Sequence, residues 1–338
     1  MSVLSRMPFS RAIVATLLLA GSAVAATPAA ADPTGTAADV TVTVTAAITE
    51  VTGFGTNPGA LRMYRYRPDG LPTGRPVVLA LHGCTQDAAA YGTDTGWVAL
   101  AEQWRFTLVL PAQQQANNGS RCFNWFQSAD TTRGQGEAES IAQMVRRAVA
   151  DGADPARVWI SGLSAGGGMT ATMLATYPEL FAGGGIVAGP PHRCATTLIE
   201  AFSCMYPGRD LTPTQWGGFV RAASQHTGPW PTVSIWHGTA DYTVATANQR
   251  EQVDQWTDVH GIPTTPSATD TVAGFPHAVY RTADGRTVVE TVTLTGMGHG
   301  QPVDPGTSAT SCGRAGAYIL DVNLCAARHL GTTWQLAG

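Results

Sequence analysis

Apolar positions along the chain follow two rhythms, and each rhythm predicts a different kind of element. Continuous apolar runs such as Val77–Leu81 are typical of strands buried on both faces of a parallel sheet. Further strands are predicted at residues 40–44, 61–66, 106–110, 157–161, 185–188, 233–236, 277–282 and 287–295. Helices are predicted at residues 97–104, 137–150, 165–176, 212–223, 245–260 and 315–329. Strands that alternate with helices indicate an α/β fold, with a mostly parallel central sheet, helices on both faces and antiparallel strands at the N-terminus.

The first residues have the features of a cleavable export signal. Arg6 and Arg11 supply positive charge, an apolar stretch covers residues 12–24, and small-residue cleavage sites follow at residues 23–25 and 29–31. The apolar stretch is short for a bilayer span, and an uncleaved membrane tether is the alternative. We therefore expect a secreted, extracellular protein without a stable membrane anchor. Its expected parts are a signal peptide and cleavage region at residues 1–31, a flexible segment at 32–38 and a single domain at 39–338.

The charge balance argues against a nucleic-acid partner. The 338 residues carry 20 basic and 24 acidic side chains, a formal net charge of −4, and removal of the signal peptide takes away two of the arginines. This mild acidity leaves no basic face for nucleic acid and no polybasic patch for a membrane. All 20 basic residues are arginine, so Schiff-base lysines, the P-loop lysine and serine–lysine nucleophile pairs are excluded.

Six cysteines in an exported chain indicate three disulfide bonds. The cysteines are Cys84, Cys122, Cys194, Cys204, Cys312 and Cys325. Spacing alone leaves fifteen possible connectivities, and buried free thiols are the alternative. The chain has no CxxC pair and no clustered Cys and His, which argues against zinc, so no metal is expected.

The pattern Gly-x-Ser-x-Gly at residues 162–166 is the strongest chemical signal in the chain. An apolar strand leads into it and a helical stretch follows it, which is the context of a nucleophile elbow. The sharp turn would present Ser164 as a nucleophile, with Gly162 and Gly166 leaving room for the neighbouring backbone. The N-terminal dipole of the next helix would face the developing negative charge. The alternative is an N-cap serine beside packing glycines.

A catalytic acid and base are expected in the chain order serine, acid, histidine. Asp241 follows an apolar strand, where ligand-facing residues of an α/β sheet lie, and would orient and stabilise the base. Its rivals Asp254 and Asp258 fall in a helical stretch. His299 best fits the base because it lies in a glycine-rich loop directly after a strand. Histidines that fit less well, because they precede or begin elements or end a helix, are His226, His260 and His277.

The loop after the strand Val77–Leu81 is expected to contribute to the oxyanion hole. In this arrangement one oxyanion donor is the backbone N–H after the nucleophile, here Ala165, and the other comes from this loop, here Cys84. Loss of one such donor typically costs about 2.7–4 kcal/mol of transition-state stabilisation. His82 precedes Gly83 and is expected to support the loop rather than to act as a base.

Four motifs, in this order along the chain, resemble those of a known esterase family. They are residues 82–86 (HGCTQ), 122–126 (CFNWF), 133–137 (RGQGE) and 162–167 (GLSAGG). Together they resemble the extracellular polyhydroxybutyrate (PHB) depolymerase family of esterases, which is related to the feruloyl and acetylxylan esterases of carbohydrate esterase family 1. The resemblance runs from about residue 61 to residue 299, most of the chain after the signal peptide.

The resemblance implies an α/β-hydrolase catalytic domain at residues 39–338, with a triad of Ser164, Asp241 and His299. It also implies three disulfide pairs, of which the first would tie the oxyanion loop to residues 124–126. The implied pairs are Cys84–Cys122, Cys194–Cys204 and Cys312–Cys325.

Tryptophans are candidates for the substrate surface. Trp125, Trp216 and Trp230 would offer an apolar surface to a polymer or a ferulate ring, or else pack in the core. Many polymer-degrading members of the family continue into a substrate-binding domain, whereas this sequence ends at Gly338. Attachment to insoluble polymer through such a domain is therefore not expected.

The resemblance implies a serine carboxylic-ester hydrolase that works through an acyl-enzyme, without a metal or an organic cofactor. The first expected substrate is polyhydroxyalkanoate, such as poly-3-hydroxybutyrate, or its oligomers. The alternative is a feruloyl or acetyl ester of plant cell-wall polysaccharide. A secreted binding protein that has lost catalysis is a rival from another class, and the complete set of Ser164, Asp241 and His299 disfavours it. A peptidase is a weaker rival.

Overall fold

The computed structural model describes residues 43–337 and arranges them around a ten-stranded sheet. The signal peptide expected at residues 1–31, the segment at 32–38 and most of the strand expected at 40–44 lie outside the described residues. Thr43 and Val44 are not in a strand, and the first strand described is β1 (Thr49–Val51). The described residues belong to one compact unit.

The sheet is parallel in its centre and antiparallel at both edges. Its other strands are β2 (Arg62–Tyr66), β3 (Val77–Leu81), β4 (Thr107–Ala112), β5 (Val158–Leu163), β6 (Gly183–Val187), β7 (Thr232–Gly238), β8 (Ala268–Val272), β9 (Phe275–Arg281) and β10 (Thr287–Leu294). Their order is β1-β2-β4-β3-β5-β6-β7-β10-β9-β8, and the strands from β4 to β10 in that order are parallel. A separate parallel pair is formed by β11 (Gln301–Val303) and β12 (Ile319–Asp321). The expected α/β fold class is confirmed, with a second antiparallel edge at β8 and β9.

Helices cover both faces of the sheet. They are α1 (Ala88–Asp94), α2 (Trp97–Trp104), α3 (Ser128–Thr131), α4 (Gly136–Ala150), α5 (Ala165–Thr176), α6 (Leu198–Met205), α7 (Pro213–Ala223), α8 (Ala247–His260) and α9 (Ala326–Thr333), with a 3₁₀ turn at Pro178–Leu180. Helices α4, α5, α7 and α8 contribute to the core on one face, and α1, α2 and α9 contribute to the core on the other.

The central strands carry apolar side chains toward both helix layers. In β3, Val77 and Leu79 join the core beneath α4, α5 and α8, whereas Val78 and Ala80 join the core beneath α1, α2 and α9. All four side chains are fully buried. Because successive side chains of a strand point to opposite faces, a strand that is covered on both faces has to be apolar at every position.

The C-terminal helix begins later than the sequence analysis expects. The first part of the helix expected at residues 315–329 is wrong, because α9 begins at Ala326. Part of that stretch forms β12, and Tyr318 and Asn323 have positive φ angles of 58° and 56°, which interrupt a right-handed helix. Cys325, which is bonded to Cys312, is the N-cap of α9.

Several short elements are not predicted by the sequence pattern. They are β1, α1, α3, α6, β8, β11 and β12. Strand β8 lies at the sheet edge and is exposed along most of its length, so its sequence carries no buried alternation. Among residues 43–337, the helices all lack the length and apolar character that crossing a bilayer would require.

Candidate active site

Ser164 lies on a sharp turn between β5 and α5. Its backbone has φ 58° and ψ −118°, a strained combination for a residue with a side chain. The turn is held by the Ser164 N–H, which donates to the Val187 carbonyl at 2.9 Å. A Cβ atom on Gly162 would lie 2.3 Å from the Gly166 oxygen, and one on Gly166 would lie 2.4 Å from the Leu81 oxygen. Only glycine fits at both positions, so the close approach of strand and helix requires this motif.

Asp241 and His299 follow two adjacent parallel strands, β7 and β10, whose carboxyl ends meet at the same edge of the sheet. His299 Nδ1 lies 2.7 Å from Asp241 Oδ2. The other carboxylate oxygen, Oδ1, accepts from the backbone N–H groups of Thr243 and Val244, each at 2.9 Å. Burial raises the pKa of Asp241, but the hydrogen bond and charge of His299 and the two backbone donors outweigh burial, and the pKa is lowered. The carboxylate therefore stays ionised while it holds the imidazole.

A second histidine, His237, lies close to Asp241 and is not singled out by the sequence analysis. Its Nε2 donates to the Val244 carbonyl at 2.8 Å and lies 3.5 Å from Asp241 Oδ2. Burial, partly offset by the Val244 contact and the charge of Asp241, lowers its pKa, so His237 is neutral and braces the loop that carries Asp241.

Ser164 and His299 line one cavity of about 220 Å³. Its other lining residues are Gly83, Cys84, Thr85, Gln86, Leu163, Met205, Thr243 and Tyr318. Among the hydrogen bonds of residues 43–337, none joins the Ser164 hydroxyl to His299. In enzymes without bound substrate this bond is commonly long and tightens in the complex. Met205, Thr243 and Tyr318 carry no sequence signal for the site, because their positions depend on where distant loops pack.

Two backbone N–H groups near Ser164 are available to bind a negatively charged oxygen. Within residues 43–337, the N–H groups of Cys84 and Ala165 have no hydrogen-bond acceptor, whereas Gly83 and Thr85, the neighbours of Cys84, donate to Gln86 Oε1 and to the Ser120 carbonyl. Donors with no partner in the free protein are available to an oxyanion.

His82 stabilises the loop that carries Cys84 through hydrogen bonds to the backbone. The His82 ring is buried, its Nδ1 donates to the Gly83 carbonyl at 2.7 Å, and its Nε2 accepts from the Gln113 N–H at 3.1 Å. Burial lowers the pKa of His82 to about 4. The ring is therefore neutral and fully engaged by backbone groups, which gives it a supporting position and not that of a base.

Glu137, at the end of the third sequence motif, anchors the second motif. Its Oε2 accepts from the Asn124 N–H at 2.8 Å, and its Oε1 accepts from the Gln113 side chain. Burial raises the pKa of Glu137 to about 8. The carboxyl group joins strand β4 to the segment that holds Cys122. In the sequence Glu137 is visible only as the last residue of a motif, and the role of its carboxyl group follows from these contacts.

The three disulfides of the structure join Cys84 to Cys122, Cys194 to Cys204, and Cys312 to Cys325. The first links the loop after β3 to the segment before Asn124. The second holds α6, whose Met205 lines the cavity, against the loop after β6. Two of the three bonds therefore constrain elements that border Ser164.

The candidate tryptophans lie outside the lining of the Ser164 cavity. Trp125 is 5% exposed and packs against α5, where a Cβ on Gly168 would lie 2.9 Å from its ring. Trp216 is fully buried, and Trp230 is half-buried beside His226.

The rival acids and histidines have other partners. Asp254 and Asp258 lie on α8, paired with Arg250 at 3.1 Å and with Arg221 at 2.6 Å. His260 ends α8 and contacts the Pro231 carbonyl. His226 contacts the carbonyl of Pro229, and His277 lies beside Glu290.

The sheet topology and the turn at Ser164 are those of an α/β-hydrolase, and the family and relatives of the chain place it among the carboxylic ester hydrolases. The chain belongs to the Esterase PHB depolymerase family, whose model matches residues 61–273, and the resemblance of its four motifs is thereby confirmed. A solved acetyl xylan esterase from Aspergillus awamori superposes with a TM-score of 0.69 at 29% identity, covering 75% of this chain and 94% of that one.

Similar curated proteins include one named a poly(3-hydroxyalkanoate) depolymerase and others named acetylxylan or feruloyl esterases. Poly(3-hydroxyalkanoate) depolymerase C of Paucimonas lemoignei is 55% identical over 294 residues, 86% of this chain and 71% of the relative. Probable acetylxylan esterase A of Neosartorya fischeri is 36% identical over 274 residues, 78% of this chain and 73% of the relative. Feruloyl esterase B of Talaromyces funiculosus is 31% identical over 273 residues, 78% of this chain and 76% of the relative.

Proposed function

We propose that the chain is an exported serine hydrolase that cleaves ester bonds in poly(3-hydroxyalkanoate) or its oligomers. The observation that carries the substrate class is a set of exposed apolar side chains on α6 and in the loops that contribute residues to the Ser164 cavity. The relative at 55% identity, which is named a poly(3-hydroxyalkanoate) depolymerase, supports the same class. Export through the signal expected at residues 1–31 would bring the enzyme to a polymer outside the cell.

In the proposed reaction, His299 acts as the base. Because its Nδ1–H is held by Asp241, its Nε2 is free to take the proton of Ser164 as the Ser164 oxygen attacks the ester carbonyl. Asp241 stabilises the imidazolium that forms, and its own ionisation is secured by the two backbone donors on Oδ1.

The N–H groups of Cys84 and Ala165 would hold the oxyanion of the tetrahedral intermediate. The imidazolium then protonates the leaving alcohol, and an acyl-enzyme remains on Ser164. Water, deprotonated by His299, attacks the acyl group, and collapse of the second intermediate releases the acid and restores the serine hydroxyl. The steps proposed here use only side chains and backbone groups of this chain.

Exposed apolar side chains lie on α6, the helix whose Met205 lines the cavity, and in loops next to other lining residues. We call this set the apolar rim, and its members are Leu198, Ile199, Phe202, Tyr206, Tyr242 and Tyr318, which are 49–82% exposed. Tyr318 lines the cavity, while Tyr206 and Tyr242 adjoin the lining residues Met205 and Thr243. Clustered exposed apolar side chains mark interaction surfaces. An aliphatic polyester presents methyl and methylene groups to such a surface, whereas a polysaccharide presents mostly hydroxyl groups.

Substitutions in the rim test this substrate class. Ile199→Ser and Phe202→Ser change side chains that are 81% and 61% exposed, so the fold should be little affected. We expect clearing of a poly(3-hydroxybutyrate) suspension to slow about tenfold, because burial of one such side chain stabilises contact by about 1.5–3 kcal/mol. Hydrolysis of soluble p-nitrophenyl butyrate should not change. Val44→Ser, at a residue 46% exposed and outside the rim, is the matched control. Equal clearing by all four proteins would contradict the role of the rim.

Feruloyl or acetylxylan esterase activity is the second candidate. The Aspergillus awamori structure and the relatives at 31–36% identity favour it. Release of ferulate from methyl ferulate and of acetate from acetylxylan, measured beside polymer clearing on the same purified enzyme, separates the candidates. Faster turnover of the two polysaccharide-type substrates would replace the polyester assignment.

The active site and the export signal have separate tests. A fluorophosphonate probe should label Ser164, and labelling of another residue would overturn the proposed nucleophile. Hydrolysis of p-nitrophenyl butyrate distinguishes an enzyme from a binding protein or a strict peptidase. Mass spectrometry of the protein from culture medium should find an N-terminus close to residue 26 or 32, whereas full-length protein retained by cells would contradict cleavage.

A further inference from the structure

A polar row crosses four strands at the antiparallel edge of the sheet, apart from the residues that line the Ser164 cavity. Asp270 on β8 is directly opposite His277 on β9, and Glu290 on β10 is directly opposite Ser234 on β7. His277 lies diagonally from Glu290, since its own partner in the register is Val292. Diagonal neighbours on one face of a sheet are close enough for long side chains to meet.

Helix α9 adds a fifth polar group to this row. His329 Nε2 lies 3.6 Å from Glu290 Oε1, and its ring packs edge-on against Trp236. His277 Nε2 lies 3.2 Å from Glu290 Oε2. One ligand atom from each of His277, Glu290 and His329 lies within 4.8 Å of the other two. Three groups that metals prefer are thus brought together from three separate elements.

The three ligand atoms are close enough for one small divalent ion to bind them after small side-chain movements. Zinc binds imidazole nitrogen and carboxylate oxygen at about 2.0–2.2 Å in a tetrahedral arrangement, which places neighbouring ligand atoms about 3.3–3.6 Å apart. His277 Nε2 lies 3.2 Å from Glu290 Oε2 and His329 Nε2 lies 3.6 Å from Glu290 Oε1, so each carboxylate oxygen is at about this distance from one histidine. Two imidazoles and one carboxylate are also a donor set that suits zinc.

The surrounding hydrogen bonds orient the three side chains inward. His277 Nδ1 is 2.6 Å from Asp270 Oδ1, and Ser234 donates to Glu290 Oε1 at 2.5 Å. Metal-binding histidines commonly donate their second ring nitrogen to a carboxylate, and ligating carboxylates are themselves hydrogen-bonded. With Nδ1 held by Asp270, Nε2 is the ring nitrogen that faces Glu290, and a cation bound between them would replace the Nε2 proton. A cation between them would satisfy both atoms.

His329 supplies an independent indication. Within residues 43–337, its Nε2 is buried, and apart from the 3.6 Å approach to Glu290 Oε1, which is longer than a hydrogen bond, it has no polar partner. A buried polar atom without a partner costs free energy that a ligand can recover. We propose that His277, Glu290 and His329 form a binding site for a zinc-like divalent cation, with a fourth position open to water, which joins β9 and β10 to α9. This site departs from the sequence-based expectation that the chain binds no metal.

Zinc titration of the secreted, fully oxidised enzyme, stripped beforehand with chelator, tests the site. We expect one zinc per chain by isothermal titration and elemental analysis. At a free zinc concentration about 100-fold above Kd, the melting temperature should rise by about 4 °C. Co²⁺ in place of zinc should give the visible absorption of a four-coordinate ion, which reports the site directly in the unmodified enzyme. A wild-type enzyme that binds no zinc overturns the proposal.

Single substitutions test whether zinc binds at this site or at another histidine, such as His299 beside Asp241. His329→Gln should abolish the high-affinity zinc, and Asp270→Asn, which leaves all three ligands in place, should weaken zinc binding about 10–100-fold. His226→Gln, at a half-buried histidine elsewhere, is the matched control and should bind zinc as the wild type does. If His329→Gln and Asp270→Asn both retain wild-type affinity, the three residues are only an ionic network and the proposal fails.

Discussion

Replacing Asp241 with asparagine should prevent His299 from acting as the base, although His299 itself is unchanged. Asp241 Oδ1 accepts two backbone N–H groups, and Oδ2 accepts His299 Nδ1–H. An asparagine has only one acceptor oxygen, and the two donors at the Oδ1 position would retain it there. The side-chain amide would then point its N–H₂ at His299 Nδ1, which must become an acceptor. The ring proton moves to Nε2, the atom that should take the proton of Ser164.

A base held in the wrong tautomer costs a triad hydrolase about 10⁴-fold in kcat, by analogy with serine proteases. This factor corresponds to about 5.4 kcal/mol of transition-state stabilisation. Initial rates on p-nitrophenyl butyrate measure it, with the melting temperature as the check that the loop still folds. We expect KM to change little, because Asp241 is not among the residues that line the cavity.

The matched control is Asp258→Asn, since Asp258 is a rival acid that lies on α8 and pairs with Arg221. It should keep its activity within about twofold of the wild type. If Asp241→Asn keeps more than a tenth of the wild-type kcat, Asp241 does not orient the base. If Asp258→Asn shows the large loss instead, the assignment of the acid is wrong.

Three further outcomes are expected. Ser164→Ala should lose ester hydrolysis and fluorophosphonate labelling while its circular dichroism and melting temperature stay near wild type; residual turnover above the uncatalysed rate would point to another nucleophile. Replacement of both Cys84 and Cys122 by alanine should lower kcat by a larger factor than the pair Cys312→Ala and Cys325→Ala, because only the first bond holds the loop with the proposed oxyanion donor; equal losses would contradict this. Burial raises the pKa of Glu251 to about 8, so its proton is bound more tightly in the folded state and its contribution to stability declines as the pH rises from about 5 to 8. Urea unfolding across this range should find the wild type losing stability relative to Glu251→Gln, and parallel curves would refute the shifted pKa.

Local patterns were sufficient for much of the fold. The strand Val77–Leu81 and the helices Trp97–Trp104 and Ala165–Thr176 have the bounds that the sequence predicts. A buried parallel strand has to be apolar on both faces, and the turn before α5 leaves no room for a Cβ at Gly162 or Gly166. These constraints act within a few residues, so the sequence displays them directly.

The candidate site residues are recognisable in the sequence by their order along the chain. Ser164, Asp241 and His299 each follow a predicted strand, and parallel strands place their carboxyl ends at one edge of the sheet. The sequence alone therefore predicts which loops meet. It does not supply the cavity between them, or the two backbone donors on Asp241 Oδ1, which depend on the loop conformation.

Contacts between distant segments were decided only by the tertiary structure. The late start of α9 follows from β12 and from the bond between Cys312 and Cys325, and a local periodicity contains neither. Glu137 binds the backbone of Asn124, thirteen residues away, and no pattern in the sequence marks its partner. His277, Glu290 and His329 come from two strands and a helix, and they meet only because the sheet edge and α9 pack together. By itself the sequence determined which elements form and which chemistry they carry, because periodicity and turn sterics are local. Packing decided which side chains face one another, because a contact depends on the positions of all the elements between its two partners.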